Sequence, residues 1–299
     1  MASGRPVRAV AFAPAHVTGV FAPALDARDP RARGSRGAGI VVELGVVARA
    51  EFRPTDRRQL RLVSDLRTPI PITESVARRM FPARTGRLTV ELTHQLPVGQ
   101  GFGMSAAAAT ATALAVGALS GRSREDAIEV AHLADLFGGG GLGGVASIAG
   151  GGGIEFRRRA GIPPYGDTVH LPMSGSLFLG ITGSPLPSPR LLHDPRLLAR
   201  VAAASEGLDA LLRRPGVPPF FELSERFTDR LKLGPAPLGR ILLALRKRGA
   251  WAGQAMFGRS FFARPKSARA RREVVAWLER SGLRAVELAP AQTGPRILR

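Results

Sequence analysis

Apolar and polar positions alternate, cluster or recur along this chain in ways that predict its elements. Val7 to Phe12 is a short apolar run and Ile40 to Ala48 a longer one, while Leu60 to Val63 and Leu88 to Leu92 alternate. All four predict strands. Between the first two, Pro14-Ala15-His16-Val17-Thr18-Gly19 predicts a turn, and Gly34-Ser35-Arg36-Gly37-Ala38-Gly39 a glycine-rich loop leading into the second strand. Thr73 to Phe81 predicts a helix, and Ala106 to Leu119 a second one rich in alanine. Ser123-Arg124-Glu125-Asp126 resembles a capping box, so a further helix is predicted from about 124 to 137. Ser176 to Thr182 reads as a strand and Pro185 to Pro189 as a proline-rich turn. Helices are predicted near 194–213, 219–232, 237–249 and 266–281, and a strand over Arg284 to Leu288.

Composition narrows the chemistry. A chain of 299 residues can bury a sizeable core, as one domain of two lobes or two tightly packed domains. With no cysteine, disulfides and zinc-thiolate sites are excluded, and the five histidines show no metal-ligand spacing. The sequence has no apolar run near the roughly 20 residues of a membrane span and no signal-peptide core, so a cytoplasmic protein is expected. Its 43 basic and 23 acidic residues give +20, which raises nucleic acid as a partner. The charge is nearly all arginine in short scattered groups without interleaved stacking rings, so a solvated surface is the expectation and no specific nucleic acid is implied.

The densest chemical signal is Leu96-Pro97-Val98-Gly99-Gln100-Gly101-Phe102-Gly103-Met104-Ser105, running straight into the alanine-rich helix. Glycines let backbone N–H groups turn toward an anion, and a helix N-terminus adds unpaired donors and partial positive charge. This pattern predicts a nucleotide phosphate site. Ser105 has two uses open to it, capping the first turn or reaching a phosphate oxygen or its Mg²⁺. A Walker loop is excluded, because no lysine precedes Lys232. In the next helix Ile128, His132 and Asp135 fall at i, i+4 and i+7 on one face. Gly138 to Gly144 and Gly150 to Gly153 follow, either as backbone held close to a ligand or as a flexible low-complexity loop.

The phosphate loop with its Ser-Ala helix, the early Pro-x-His-x-Thr-Gly segment and Trp251-Ala252-Gly253-Gln254-Ala255-Met256-Phe257-Gly258-Arg259-Ser260 resemble, in order and spacing, the three motifs of the GHMP kinases. Within that group Ala11 to Gly19, Gly34 to Gly39, the His132/Asp135 helix and Gly141-Leu142-Gly143 are most similar to the archaeal pantoate kinases. The resemblance implies an α+β fold with a ribosomal-protein-S5-like ATP-binding lobe over 1–165 and a ferredoxin-like lobe over 166–299. It implies ATP and Mg²⁺, pantoate as acceptor and a homodimer. By position, Pro97, Gly99, Gly101, Gly103, Met104, Ser105 and Ala106 would hold the ATP phosphates. Ser105 and Asp135 would hold the metal, Asp135 standing where glutamate is usual. Ser35, Arg36, His132, Arg157 and Ser188 would face pantoate, arginine suiting a carboxylate.

One departure stands out. The group reads Gly-Leu-Gly-Asp where this chain has Gly141-Leu142-Gly143-Gly144, and the missing aspartate is the one that orients or deprotonates the acceptor hydroxyl. Gly144 either serves a left-handed backbone position or leaves room for that side chain. The resemblance then leaves three readings: a pantoate kinase with His132 as the substitute group, another small-molecule kinase of the group, and a non-catalytic nucleotide- or polyanion-binding relative.

Overall fold

Two long strands organise the first half of the computed structural model, which describes residues 5–186 and 194–298. Strands β1 (Val7–Ala24) and β2 (Gly34–Pro54) pair antiparallel along their whole length. Both expectations for the intervening segments are corrected here. Pro14 to Gly19 is strand, not a turn, and Gly34 to Gly39 is the start of β2, not a loop. The residues that read as turn punctuation sit at irregularities, since the register shifts between Pro14 and Ala15 and again between Thr18 and Val20. Bulges tolerate proline and glycine inside a strand and bend it.

The shift opposite Pro14 also redirects β2. Before it, Gly37–Val41 pair with β5 (Gly153–Arg159); after it, Val46–Pro54 pair with β4 (Gly86–His94). Strand β3 (Gln59–Ser64) adds parallel to β4, and β6 (Asp167–Leu171) and β11 (Arg296–Leu298) complete a seven-stranded sheet. Both of these last strands lie beyond residue 165. Helix α1 (Pro71–Met80) matches its prediction and packs on α2 (Met104–Ser120) and α3 (Arg124–Phe137). Helix α2 lies across β1 and β2, and its small side chains are buried nearly all round, which is why the sequence shows alanines there instead of an amphipathic stripe. Ser123 caps α3 by accepting from the Asp126 N–H at 3.0 Å, as the capping pattern implied. The glycine stretch after it is not all loop, for α4 (Gly144–Ala149) follows at once.

The second sheet is built from β7 (Leu177–Ile181), β8 (Ala250–Gln254), β9 (Ser260–Pro265) and β10 (Arg284–Leu288) in the order β10-β7-β9-β8, all antiparallel. Helices α8 (Ala236–Lys247) and α9 (Ala268–Ser281) cover it, burying Leu242, Leu245, Val274 and Leu278 on Phe178 and Phe261, the ferredoxin-like arrangement. Between β7 and α8 run α5 (Pro195–Ala204), α6 (Leu208–Arg213) and α7 (Val217–Leu231). Helix α7 joins the lobes: it contacts β1 and β8, and Phe21 of β1 packs at 6.0 Å from Phe227 and 5.6 Å from Phe257. Aromatic burial of this kind contributes about 0.5–1.5 kcal/mol per pair beyond the area removed from water. Among the described residues, no helix is long and apolar enough to cross a membrane.

Candidate active site

The glycine loop is shaped by backbone conformation. Gly99, Gly101 and Gly103 have φ of 76°, 73° and 64°, in the region that side chains disfavour, and Gly103 is the N-cap of α2. The third motif lies directly beneath, since a Cβ on Gly101 would fall 2.6 Å from the Ala255 carbonyl oxygen and one on Gly258 2.1 Å from that of Gln100. Its role is therefore structural support through main-chain contact. No side chain caps α2, so its first N–H groups point without intrahelical partners to the loop.

A cleft of about 380 Å³ opens in front of this helix end. Its walls include Gly99, Gly101, Gly103, Met104, Ser105 and Ala106 from the loop, Asp135 from α3, Gly138 to Gly144, Ser35 from β2 and Arg157 from β5. On one side Leu66, Pro69, Ile70 and Ile72 make an apolar wall. Ser105 uses its hydroxyl not as a cap but as a donor to Asp135 Oδ1 at 2.7 Å. Asp135 is buried, and desolvation pushes its carboxyl up to about 7, opposed by the Ser105 hydrogen bond. Gly140 makes this pairing possible, since a Cβ there would fall 2.1 Å from Asp135 Oδ1.

Arg157, Ser35 and His16 line the same cleft as part of a buried polar cluster. Arg157, 1 % exposed, donates through Nη1 to Glu155 and to the Ser147 hydroxyl, and through Nε to the Ser35 carbonyl at 3.2 Å. Glu155 Oε1 is also 2.8 Å from His16 Nε2. Burial opposes the charge on Glu155, but Arg157 and His16 outweigh it and hold the carboxylate below its usual range. The glycine chain closes over this cluster: a Cβ on Gly143 would lie 2.6 Å from Ser35 Oγ and 2.7 Å from Arg157 Nε.

The structure thus brings Gly99, Gly101, Gly103, Met104, Ser105, Ala106, Asp135, Ser35 and Arg157 to one cleft. It does not bring all the expected residues there. Pro97 is not on the wall, and Arg36 turns outward to Asp209 and to the Arg158 carbonyl at 3.1 Å. His132 shares the buried face of α3 with Asp135 but lies against the Pro30–Arg33 backbone, its Nε2 without a partner among the described residues. Burial lowers its pKa, partly offset by that backbone. Ser188 lies outside the described residues. Sequence reasoning missed His16, Glu155 and Ser147. The signal for Glu155 was present in Ile154-Glu155-Phe156-Arg157, where two charges alternate with two apolar residues as on the faces of a strand.

Residues 71–152, which hold α1, the phosphate loop, α2, α3 and α4, match the GHMP kinases N terminal domain. A phosphotransferase related to the CoA biosynthesis pathway superposes on this chain with a TM-score of 0.86 at 26% identity, covering 98% of this chain and 99% of that one. By sequence it is 28% identical over 270 residues to a pantoate kinase of Methanospirillum hungatei, covering 87% of this chain and 89% of the relative. A pantoate kinase of Thermococcus kodakarensis is 29% identical over 243 residues, covering 79% and 80%.

Proposed function

We propose that this chain transfers the γ-phosphoryl group of ATP to a hydroxyl of pantoate, giving 4-phosphopantoate and ADP. The observation that carries the reading is that Arg157 and Ser35 line the same cleft as the Ser105–Asp135 pair. Phosphoryl transfer depends mostly on positioning and charge neutralisation. The loop N–H groups and the start of α2 hold the phosphates, and Leu66 and Ile70 offer an apolar surface to a base. Arg157 keeps Nη2 without a partner among the described residues, free to meet the acceptor carboxylate, while Ser35 and Gly143 bound the space for its carbon chain.

The residues present also fit a divalent cation. Asp135 is a buried carboxyl with a hydroxyl as its only side-chain partner among the described residues, and no counter-charge touches it. Ser105 and Asp135 would hold Mg²⁺, with phosphate oxygens and water completing its shell. Bound there, Mg²⁺ would neutralise charge on the transferring phosphates.

We further propose lobes over 1–165 and 166–299, with β6 and β11 returning to the first sheet, and a cytoplasmic homodimer. Light scattering of the purified protein tests the dimer. The decisive assay is ADP release with MgATP across pantoate, pantothenate, mevalonate and homoserine, with the product identified by mass. Strong preference for pantoate is expected. Preference for another acceptor would replace the substrate, and ADP release with none of them would remove the kinase reading.

A further inference from the structure

His16 joins the phosphate loop to the buried cluster. Its N–H donates to the Phe102 carbonyl at 3.2 Å, and a Cβ on Gly103 would lie 2.7 Å from its carbonyl oxygen. Its ring is buried at the cleft wall. Of the two ring nitrogens, Nε2 is taken by Glu155 at 2.8 Å. Nδ1 has no partner among the described residues and, unlike Nε2 of His132 and of His170, is not sealed off by protein. A carboxylate on one nitrogen fixes the tautomer: Nε2 carries the proton and donates it to Glu155, so Nδ1 presents its lone pair. The same logic orients the base wherever a histidine is backed by a buried carboxylate.

The charged groups around the ring are Glu155 and Arg157 from β5 and His170 from β6. Burial lowers the His16 pKa most; Glu155 raises it, Arg157 and His170 lower it, and the net direction is down. The imidazole is therefore neutral near pH 7. Two histidines reach the cleft wall: His94 pairs through Nδ1 with Asp65 beside Leu66, whereas His16 belongs to the cluster that holds Arg157; residue 144 is glycine and His132 lies away from the wall.

We propose that His16 is the general base of this kinase, with Glu155 as the positioning residue behind it. The acceptor O–H proton passes to His16 Nδ1 as the oxygen bonds to the γ-phosphorus of ATP; the bond from that phosphorus to the bridging oxygen breaks, and its electron pair leaves with ADP. His16 then returns the proton to solvent. Arg157 thereby serves two ends, meeting the acceptor carboxylate and holding Glu155 ionised behind the base.

This inference rests on the kinase reading, and the test separates the two. With the full chain, pantoate and MgATP, His16→Gln keeps an N–H for Glu155 but has no titrating nitrogen. Its kcat should fall about 10²–10⁴-fold, with KM for pantoate and ATP near wild type. At saturating MgATP, where the cation holds Asp135 ionised, wild-type kcat should rise with pH through the His16 ionisation, and that limb should vanish in His16→Gln. Glu155→Gln should move that limb to lower pH, because it removes the group that raises the His16 pKa. The wild-type profile needs no variant: one that is flat, or falls with rising pH as a cationic His16 would give, overturns the proposal, as does brisk turnover by folded His16→Gln. A wild type releasing no ADP with any acceptor overturns the kinase reading and this inference with it.

Discussion

The Ser105 hydroxyl donates to Asp135 Oδ1 at 2.7 Å, linking the first turn of α2 to the last turn of α3 in front of the phosphate loop. Gly140 passes so close that a Cβ would fall 2.1 Å from that oxygen and 2.3 Å from Ser105 Oγ. The start of α2, the end of α3 and the glycine stretch after it converge on one carboxyl, and among the described residues the sole side-chain hydrogen bond it receives comes from a neutral group. Its environment leaves a charge deficit that a cation would fill.

Asp135→Asn should abolish Mg²⁺-dependent turnover and also change how stability depends on pH. Because burial raises the folded-state pKa from the ordinary 3.8 to about 7, the neutral carboxyl stabilises the fold fully below 3.8, and that contribution is lost as pH rises through 7. Ligand-free wild type should therefore lose stability between pH 4 and 8 relative to Asp135→Asn, by up to about 4 kcal/mol. Parallel melting curves across that range for the two proteins would refute this.

Ser105→Ala should keep the fold, because the hydroxyl caps nothing, and should weaken MgATP use. The Asp135 carboxyl, losing the one hydrogen bond that favours its charge, should titrate higher still. Thermal melts with an ATP titration check this, and an unchanged ATP response would remove Ser105 from the phosphate site.

Gly144→Asp, which restores the residue usual in the group, should not speed the reaction on its own. Gly144 is not in the left-handed region, so backbone strain is not the obstacle. The obstacle is packing: a Cβ would fall 2.6 Å from Ala106 Cβ. Destabilisation of about 1–3 kcal/mol is expected, relieved when Ala106→Gly is added. Denaturant unfolding of the single and double variants measures it, and additive effects of the two changes would show that the contact does not matter.

Arg157→Gln should raise the pantoate KM and also destabilise the fold, by about 3–5 kcal/mol at pH 7, because it strands the buried Glu155 carboxylate. The loss should shrink toward pH 5, since without the arginine burial drives Glu155 to protonate. Equal destabilisation at both values would mean that Glu155 is not charged in the folded protein.

Local chemistry by itself determined much of this molecule. The glycine loop, the alanine helix behind it, the Ser123 cap and the acid at Asp135 depend on neighbours within one or two turns, and each appears where the residues place it. The helices from 195 to 281 and the strand at 284–288 follow from periodicity in the same way. Only tertiary structure decided what Pro14 to Gly19 and Gly34 to Gly39 would be, because pairing along all of β1 and β2 overrides the turn preference of proline and glycine and confines it to bulges. It alone decided that His16 and His94 reach the cleft and His132 does not. Spacing puts His132 and Asp135 on one helix face, but a face is wide enough to meet two neighbours, and the backbone at Pro30–Arg33 claims the histidine while the phosphate loop claims the acid. The His16–Glu155 pair joins residues 139 apart in sequence, a proximity that no local pattern encodes and that the shared pairing of β1 and β5 with β2 creates.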